Sequence, residues 1–329
     1  MSKTILAILG TLAVVMLAIA SAAPLRRQAI ADAQIQGTSA QRLGIPTGGA
    51  QALPHNLKVA AVQFRSHLNI QDNCRRMIEF LHALSAQGVQ VAVFPECALT
   101  GYALKTIPAS PSEIAKAERR LEKTCRDRKI AAVFGTAYKV NGHAYDAADV
   151  VDSRGELIER YGKIYLAGEK WATPGNHIAY FDLDGIPSTV IICHDERYPE
   201  LVRLPALAGA RILYYISSES SLKEPSKMIP YRAQIEARAV ENGIFVVASN
   251  APANPDLTGS HGQSRIVGPD GNIIKEASVF GEDVLISTLD LSLSSKTGES
   301  ARDSFRGPLG WWWRSGMAWM MKNRNRRLN

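Results

Sequence analysis

Along this chain the spacing of apolar residues switches between the two-residue period of a half-buried strand and the 3.6-residue period of an amphipathic helix. Residues 57–64 form a compact apolar run of strand character, after which Ile70, Cys74, Met77, Ile78, Leu81 and Leu84 recur at helical spacing. A second buried strand is expected at 89–94, a charged helix at 112–129 and a third strand at 130–136. Residues 144–152 and 157–166 read as paired strands around the turn Ser153-Arg154-Gly155-Glu156. Alternation then resumes, with strands at 188–192, 211–216 and 244–250, a helix from about residue 199 and another over 226–242. Three late strands end near residue 291, two of them joined by the tight turn Gly268-Pro269-Asp270-Gly271. Strand and helix in turn predict one layered α/β domain over 57–292, without a short-period repeat.

Neither end of the chain follows that pattern. Lys3 precedes an apolar run over residues 5–20, and Ala20-Ser21-Ala22 supplies the small residues that signal peptidase reads. Residues 1–22 are therefore expected to be an export signal or, uncleaved, an N-terminal membrane anchor, which implies a periplasmic or otherwise extracytoplasmic protein. Residues 23–56, rich in Ala, Gln, Gly and Pro, read as a linker. Residues 293–329 form a basic tail that carries Trp311, Trp312, Trp313 and Trp319. Indole beside Arg suits a membrane surface, and packing over a partner subunit or the chain's own core is the competing expectation.

Composition sharpens this in two places. The 329 residues are 46% hydrophobic and 21% charged, enough for a sizeable core, and the net charge of +7 is concentrated in the tail. There eight Lys and Arg face only Glu299 and Asp303, which leaves the body close to neutral and argues against a nucleic-acid groove. The four cysteines, Cys74, Cys97, Cys125 and Cys193, have no zinc-ligand spacing. If one is a nucleophile an odd number remains, so no essential disulfide is expected, and Cys74 and Cys125 are read as helix core residues.

Four polar residues at element ends are candidates for chemistry. Glu96 follows an apolar strand in Phe94-Pro95-Glu96, a rigid terminus that suits a general base. Cys193 ends the strand at 188–192 and precedes a helix, where backbone N–H groups would favour a thiolate and stabilise an oxyanion. Lys163 alternates with apolar residues in Tyr161-Gly162-Lys163-Ile164-Tyr165-Leu166, so its ammonium is read as facing inward on a strand. Glu169 is a second acid, suited to orienting Lys163 or the leaving nitrogen. Taken singly, each is more often structural: a solvated strand-end Glu, a buried Cys, an edge Lys, a loop acid.

Their order along one α/β chain is more specific. Phe94-Pro95-Glu96 with Thr100-Gly101-Tyr102, the segment around Lys163, Cys193-His194-Asp195-Glu196-Arg197-Tyr198-Pro199-Glu200, and Glu236 to Gly243 followed by Val246-Val247-Ala248 together resemble the nitrilase superfamily of carbon-nitrogen hydrolases. The resemblance spans residues 57–291. It implies a four-layer αββα sandwich, usually paired with a second copy, and needs no metal or organic cofactor. It also implies Cys193 as nucleophile, Glu96 as proton shuttle and Lys163 with the His194 N–H as oxyanion holders. Glu169, His194 and Tyr102 would then support the substrate. His194 stands where the family often has Tyr, Trp or Asn, and His-Asp replaces the Trp-Glu that usually follows the cysteine in nitrilases proper. A small amide or N-carbamoyl substrate is therefore expected ahead of a nitrile. A non-catalytic binding member is the third reading, disfavoured by the presence of all three triad residue types.

Overall fold

The computed structural model describes residues 54–296 and 307–323. The expected export segment, residues 23–53 of the expected linker, and tail residues 297–306 and 324–329 lie outside the described residues. One six-stranded sheet has the order β12-β1-β2-β3-β4-β5, built from β1 (Asn56–Gln63), β2 (Val91–Val93), β3 (Ala131–Val140), β4 (His143–Val151), β5 (Leu157–Gly162) and β12 (Asp283–Asp290). The other has the order β11-β10-β9-β8-β7-β6, from β6 (Phe181–Leu183), β7 (Ile186–Ile192), β8 (Ile212–Ser217), β9 (Phe245–Asn250), β10 (Arg265–Val267) and β11 (Ile273–Glu276). Helices α1 (Ile70–Ala86) and α2 (Pro111–Arg128) cover the first sheet, while α3 (Glu200–Ala208) and α4 (Met228–Asn242) pack on β7 and β9 of the second. This is the four-layer αββα sandwich expected from the sequence.

Near-continuous apolar strands arise because both faces of each sheet are covered. On β1, Val59 and Ala61 face the second sheet and meet a core that includes Val190, Ile192, Ile212 and Tyr214. Ala60 and Val62 face the helices, among Cys74, Met77, Leu81, Leu121 and Cys125. Cys74 and Cys125 thus occupy the helix core as expected, and all four cysteines are free thiols. Asn69 caps α1, and Ser110 with Glu113 forms a capping box on α2, fixing where each helix begins.

Three features depart from the sequence reading. The strand expected at 157–166 stops at Gly162, so Lys163 lies just past its end. Its backbone is still held, since Lys163 N–H donates to the Asp146 carbonyl at 2.8 Å and its carbonyl accepts from Gly175 N–H at 2.8 Å. A side chain at 175 would approach the Gly162 carbonyl oxygen within 2.0 Å, so glycine permits this crossing. The three-residue β6 was not anticipated, being too short for a period to register. In the tail, Gly310–Lys322 is a helix, α5, whose buried Met317 and Met320 lie on its packed face against α3.

Strands β1, β2 and β3 run parallel, as do β7, β8 and β9. Open α/β sheets bind ligands beyond the carboxyl ends of such strands, where backbone groups leave the ladder and side chains are released from the core. Glu96, Cys193 and the segment from Ser218 to Ser221 all stand there.

Candidate active site

Glu96 is carried by a turn that follows β2 and lies against β3. The Pro95 carbonyl accepts from Gly135 N–H at 3.1 Å, and Leu99 N–H returns to the Gly135 carbonyl at 3.0 Å. A Cβ at position 135 would come within 2.1 Å of the Cys97 nitrogen, so only glycine allows this approach. The result is a buried Glu96 side chain pointing back over the sheet.

Lys163 reaches the same place from β5. Its Nζ lies 2.6 Å from Glu96 Oε1, 2.6 Å from Glu169 Oε1 and 3.4 Å from Asp146 Oδ2, with no exposed side-chain surface. Burial alone would lower the ammonium's pKa, but its acidic neighbours, Glu96 foremost, hold it well above the ordinary value. Burial and the charge of Glu96 push the Asp146 carboxyl up, with Lys163 opposing. Glu169 goes the other way despite burial, because Lys163 and the Ala167 N–H, at 2.6 Å from Oε2, stabilise its anion. The three carboxyl groups sit close enough to share a cation, and the Lys163 ammonium fills that role.

Cys193 leaves β7 with φ of +46°, a left-handed conformation uncommon for a residue with a side chain and often found at functional turns. A 3-10 turn, Cys193–Arg197, follows before α3 begins at Glu200, the order of strand, turn and helix expected from the sequence. Cys193 as a residue is partly exposed and stands in the wall of a cavity of about 580 Å³. Burial pushes its pKa well up, the Glu96 charge adds to this and Lys163 opposes it. Burial and the Glu96 charge thus act against the thiolate that local N–H groups were expected to favour, and Lys163 acts for it. Glu96 lies near enough for its charge to act on the thiol, with Oε1 on Lys163 and Oε2 accepting from Ser218 N–H at 2.7 Å.

The remaining candidates lie around the same cavity. Tyr102 donates to Glu169 Oε1 at 3.0 Å, and both Tyr102 and His194 line the cavity. Burial and the Arg197 charge lower the His194 pKa, favouring a neutral imidazole. Asp195 braces the turn instead, accepting from Tyr161 OH at 2.8 Å and Tyr165 N–H at 2.9 Å.

Sequence reasoning missed Asp146, which sits within β4 and carries no punctuation; an acid in a small, apolar strand was the one available signal. It also missed a set of groups behind Cys193. Tyr215 OH lies 2.5 Å from Glu196 Oε2 and 2.6 Å from Glu219 Oε1, and His261 Nε2 lies 2.7 Å from Glu219 Oε2. These residues come from three separate segments with no shared spacing.

The sequence model of the family described as Carbon-nitrogen hydrolase matches residues 58–299. A 2-oxoglutaramate amidase of Bacillus subtilis is 31% identical over 229 residues, covering 68% of this chain and 86% of that protein. A nitrilase of Pyrococcus abyssi is 30% identical over 249 residues, covering 72% and 91% respectively. Among solved structures, an amidase from Nesterenkonia sp. superposes with a TM-score of 0.65 at 27% identity, over 78% of this chain and 99% of that one. A variant of that amidase carries the acetamide moiety of fluoroacetamide covalently added at its active-site cysteine.

Proposed function

The chain belongs to the carbon-nitrogen hydrolase family, and on that premise we propose that it cleaves a small amide or N-carbamoyl compound with Cys193 as nucleophile. Glu96 takes the Cys193 proton as sulfur attacks the carbonyl carbon. The oxyanion that forms is held by the Lys163 ammonium and the His194 N–H. Collapse expels ammonia or an amine, protonated through Glu96, and leaves a thioester. Glu96 then activates water, which adds to the thioester, and the acid leaves as the thiol regains its proton.

The carrying observation is the buried ion pair of Glu96 with Lys163, side by side with a cavity that opens on Cys193. A buried ammonium compensated by several carboxyl groups offers a fixed positive charge without reorganisation at the moment of reaction. Amide over nitrile rests on the amidase relatives and on His194-Asp195 after the cysteine. Ammonia release from a panel of amides, carbamoyl compounds and nitriles tests this. Amide or carbamoyl turnover that vanishes in Cys193→Ala is expected, and turnover unaffected by that substitution overturns the assignment.

The same reading extends to location, with export of the chain through residues 1–22 and attachment to a membrane surface through α5. What supports the attachment is the outward face of α5, where Trp311, Trp312 and Trp319 are 63%, 39% and 46% exposed. No described helix is long and apolar enough to cross a membrane.

A further inference from the structure

Behind the nucleophile, the quartet Glu196, Tyr215, Glu219 and His261 holds one proton more than its anions would require. Tyr215 has a single hydroxyl proton, yet carboxyl oxygens of Glu196 and Glu219 lie 2.5 and 2.6 Å from its oxygen. It can donate to one of them only, so the other carboxyl must itself donate. Glu219 is ion-paired with His261 at 2.7 Å, and its backbone N–H donates to Asn250 Oδ1 at 3.2 Å. Glu196 therefore carries the proton. In keeping with this, burial and the Glu219 charge push Glu196 up to about 9, whereas His261 and Tyr215 hold Glu219 down against burial.

A second observation concerns the other oxygen of Glu196. Glu196 is 1% exposed and stands in the wall of the cavity that holds Cys193, and its Oε1 meets no donor among the described residues. A buried, unspent acceptor is costly unless something else completes it. The cations of the same wall are already engaged: Lys227 Nζ lies 2.6 Å from Glu224, and Arg65 donates to the Ala253 carbonyl at 2.9 Å. Arg238 spends Nε and Nη2 on the Glu196 carbonyl, not on its carboxyl, and Arg197 lies over the Tyr231 ring at 5.6 Å.

We propose that Glu196 determines specificity by receiving an ammonium group on the acyl part of the substrate, a reading that rests on the amide hydrolysis proposed above. No covalent bond changes in this step. The neutral Glu196 carboxyl releases its proton to solvent, the Tyr215 hydroxyl then donates to Glu196 and gives up its contact with Glu219, and the Glu196 carboxylate pairs with the ammonium in the cavity. Tyr215 keeps the carboxyl oriented from behind, and Glu219 stays on His261.

The test compares ω-amino amides (glycinamide, β-alaninamide and 4-aminobutyramide) with neutral amides of matching length. Wild type is expected to favour the best amino member by about tenfold or more in kcat/KM, as a charge-assisted contact implies. Glu196→Gln is expected to collapse that ratio, whatever it does to the neutral amides. An unchanged ratio overturns the proposal, as does a wild type that prefers the neutral series. Calorimetry of the Cys193→Ser protein with the preferred amino amide, in two buffers of different ionisation heat, gives a readout without turnover and without altering Glu196. Net proton release on binding is expected near neutral pH, and none overturns the proposal. Hydrolysis of neutral amides that depends on Cys193, found without the amino preference, would leave the hydrolase standing and remove this subsite alone.

Discussion

Glu96 and Lys163, 67 positions apart in the chain, meet in a 2.6 Å ion pair from which solvent is excluded on both sides. The pair does more than neutralise two buried charges. With Ser218 N–H on its second oxygen, the Glu96 carboxylate is fixed in orientation. Lys163 is fixed in turn by Glu169, so a base and a fixed cation share one rigid unit.

Substituting Glu96 by Gln should move two properties of Cys193 in opposite directions. Hydrolysis loses its proton shuttle, and kcat/KM for amides is expected to fall by about 10²- to 10⁴-fold. The Glu96 charge also raises the Cys193 pKa, so a neutral amide there leaves the Lys163 charge less opposed and lowers it. Since the thiolate is the reactive form, alkylation of Cys193 by iodoacetamide at pH 7 should become faster in the variant. Mass analysis of the modified peptide separates Cys193 from the other three, buried, thiols. Slower alkylation would mean that Glu96 activates the resting thiol instead of restraining it.

The legible part of the site was the part that ends strands. Glu96 and Cys193 each follow an apolar run directly, so the run announces the place where a polar group leaves the sheet. Lys163 was legible in kind but misplaced, because Ile164 and Leu166 continue the alternation after the ladder has ended at Gly162. Asp146 is hidden for the opposite reason: it lies within β4, and its role appears only when Lys163 folds across it. Glu219 and His261 are brought together by the close of the second sheet, and no local period encodes a contact over 42 positions. In the tail, four Trp residues masked the helical placement of Met317 and Met320.

Gly135→Ala should damage activity through backbone placement alone. The added methyl would meet the Cys97 nitrogen and Glu96 backbone atoms at 2.1 to 2.6 Å, and backbone cannot rotate aside as a flexible side chain would. The turn carrying Glu96 must lift from β3, breaking the Gly135–Pro95 and Leu99–Gly135 hydrogen bonds. Thermal unfolding should show a loss of about 1–3 kcal/mol or more, the usual range for overpacking. Amide turnover measured well below the new Tm should fall further than that of a core variant of equal stability. Wild-type activity in Gly135→Ala would show that Glu96 is positioned by something other than this turn.

On the far side of the first sheet, Glu118 sets a pH dependence of stability. Its Oε2 lies 3.0 Å from Arg160, which makes two 2.6 Å contacts with Asp149. Burial and the Asp149 charge push Glu118 from 4.5 up to about 7, with Glu122 adding to the rise and Arg160 opposing it. A carboxyl whose folded pKa is raised favours the folded state when protonated. Its contribution is full below pH 4.5 and is lost as pH climbs through about 7. Glu118→Gln keeps an acceptor for Arg160 without the charge. It should raise Tm at pH 8 and lose most of that gain at pH 5; an equal shift at both values would exclude an ionised, penalised Glu118.

The tail presents a sharper choice than its composition suggested, because α5 is two-faced. Met317 and Met320 are buried, and the side-chain space at Gly316 is already taken by Leu204, so this face is spent on α3. Trp311, Trp312 and Trp319 project to the other side together with Lys322, and the sequence continues into Arg324, Arg326 and Arg327. Indoles flanked by cations match an anionic lipid surface, where the rings sit at headgroup depth and the charges meet phosphate. Replacing all three exposed tryptophans by Ser leaves the Met face and any N-terminal segment unchanged. Pelleting with vesicles containing anionic phospholipid should then drop by about tenfold or more, and wild-type pelleting should weaken with added salt. If the triple variant pellets as well as wild type while its oligomeric state shifts in sedimentation, the indoles cover a second copy of the chain and the lipid assignment fails.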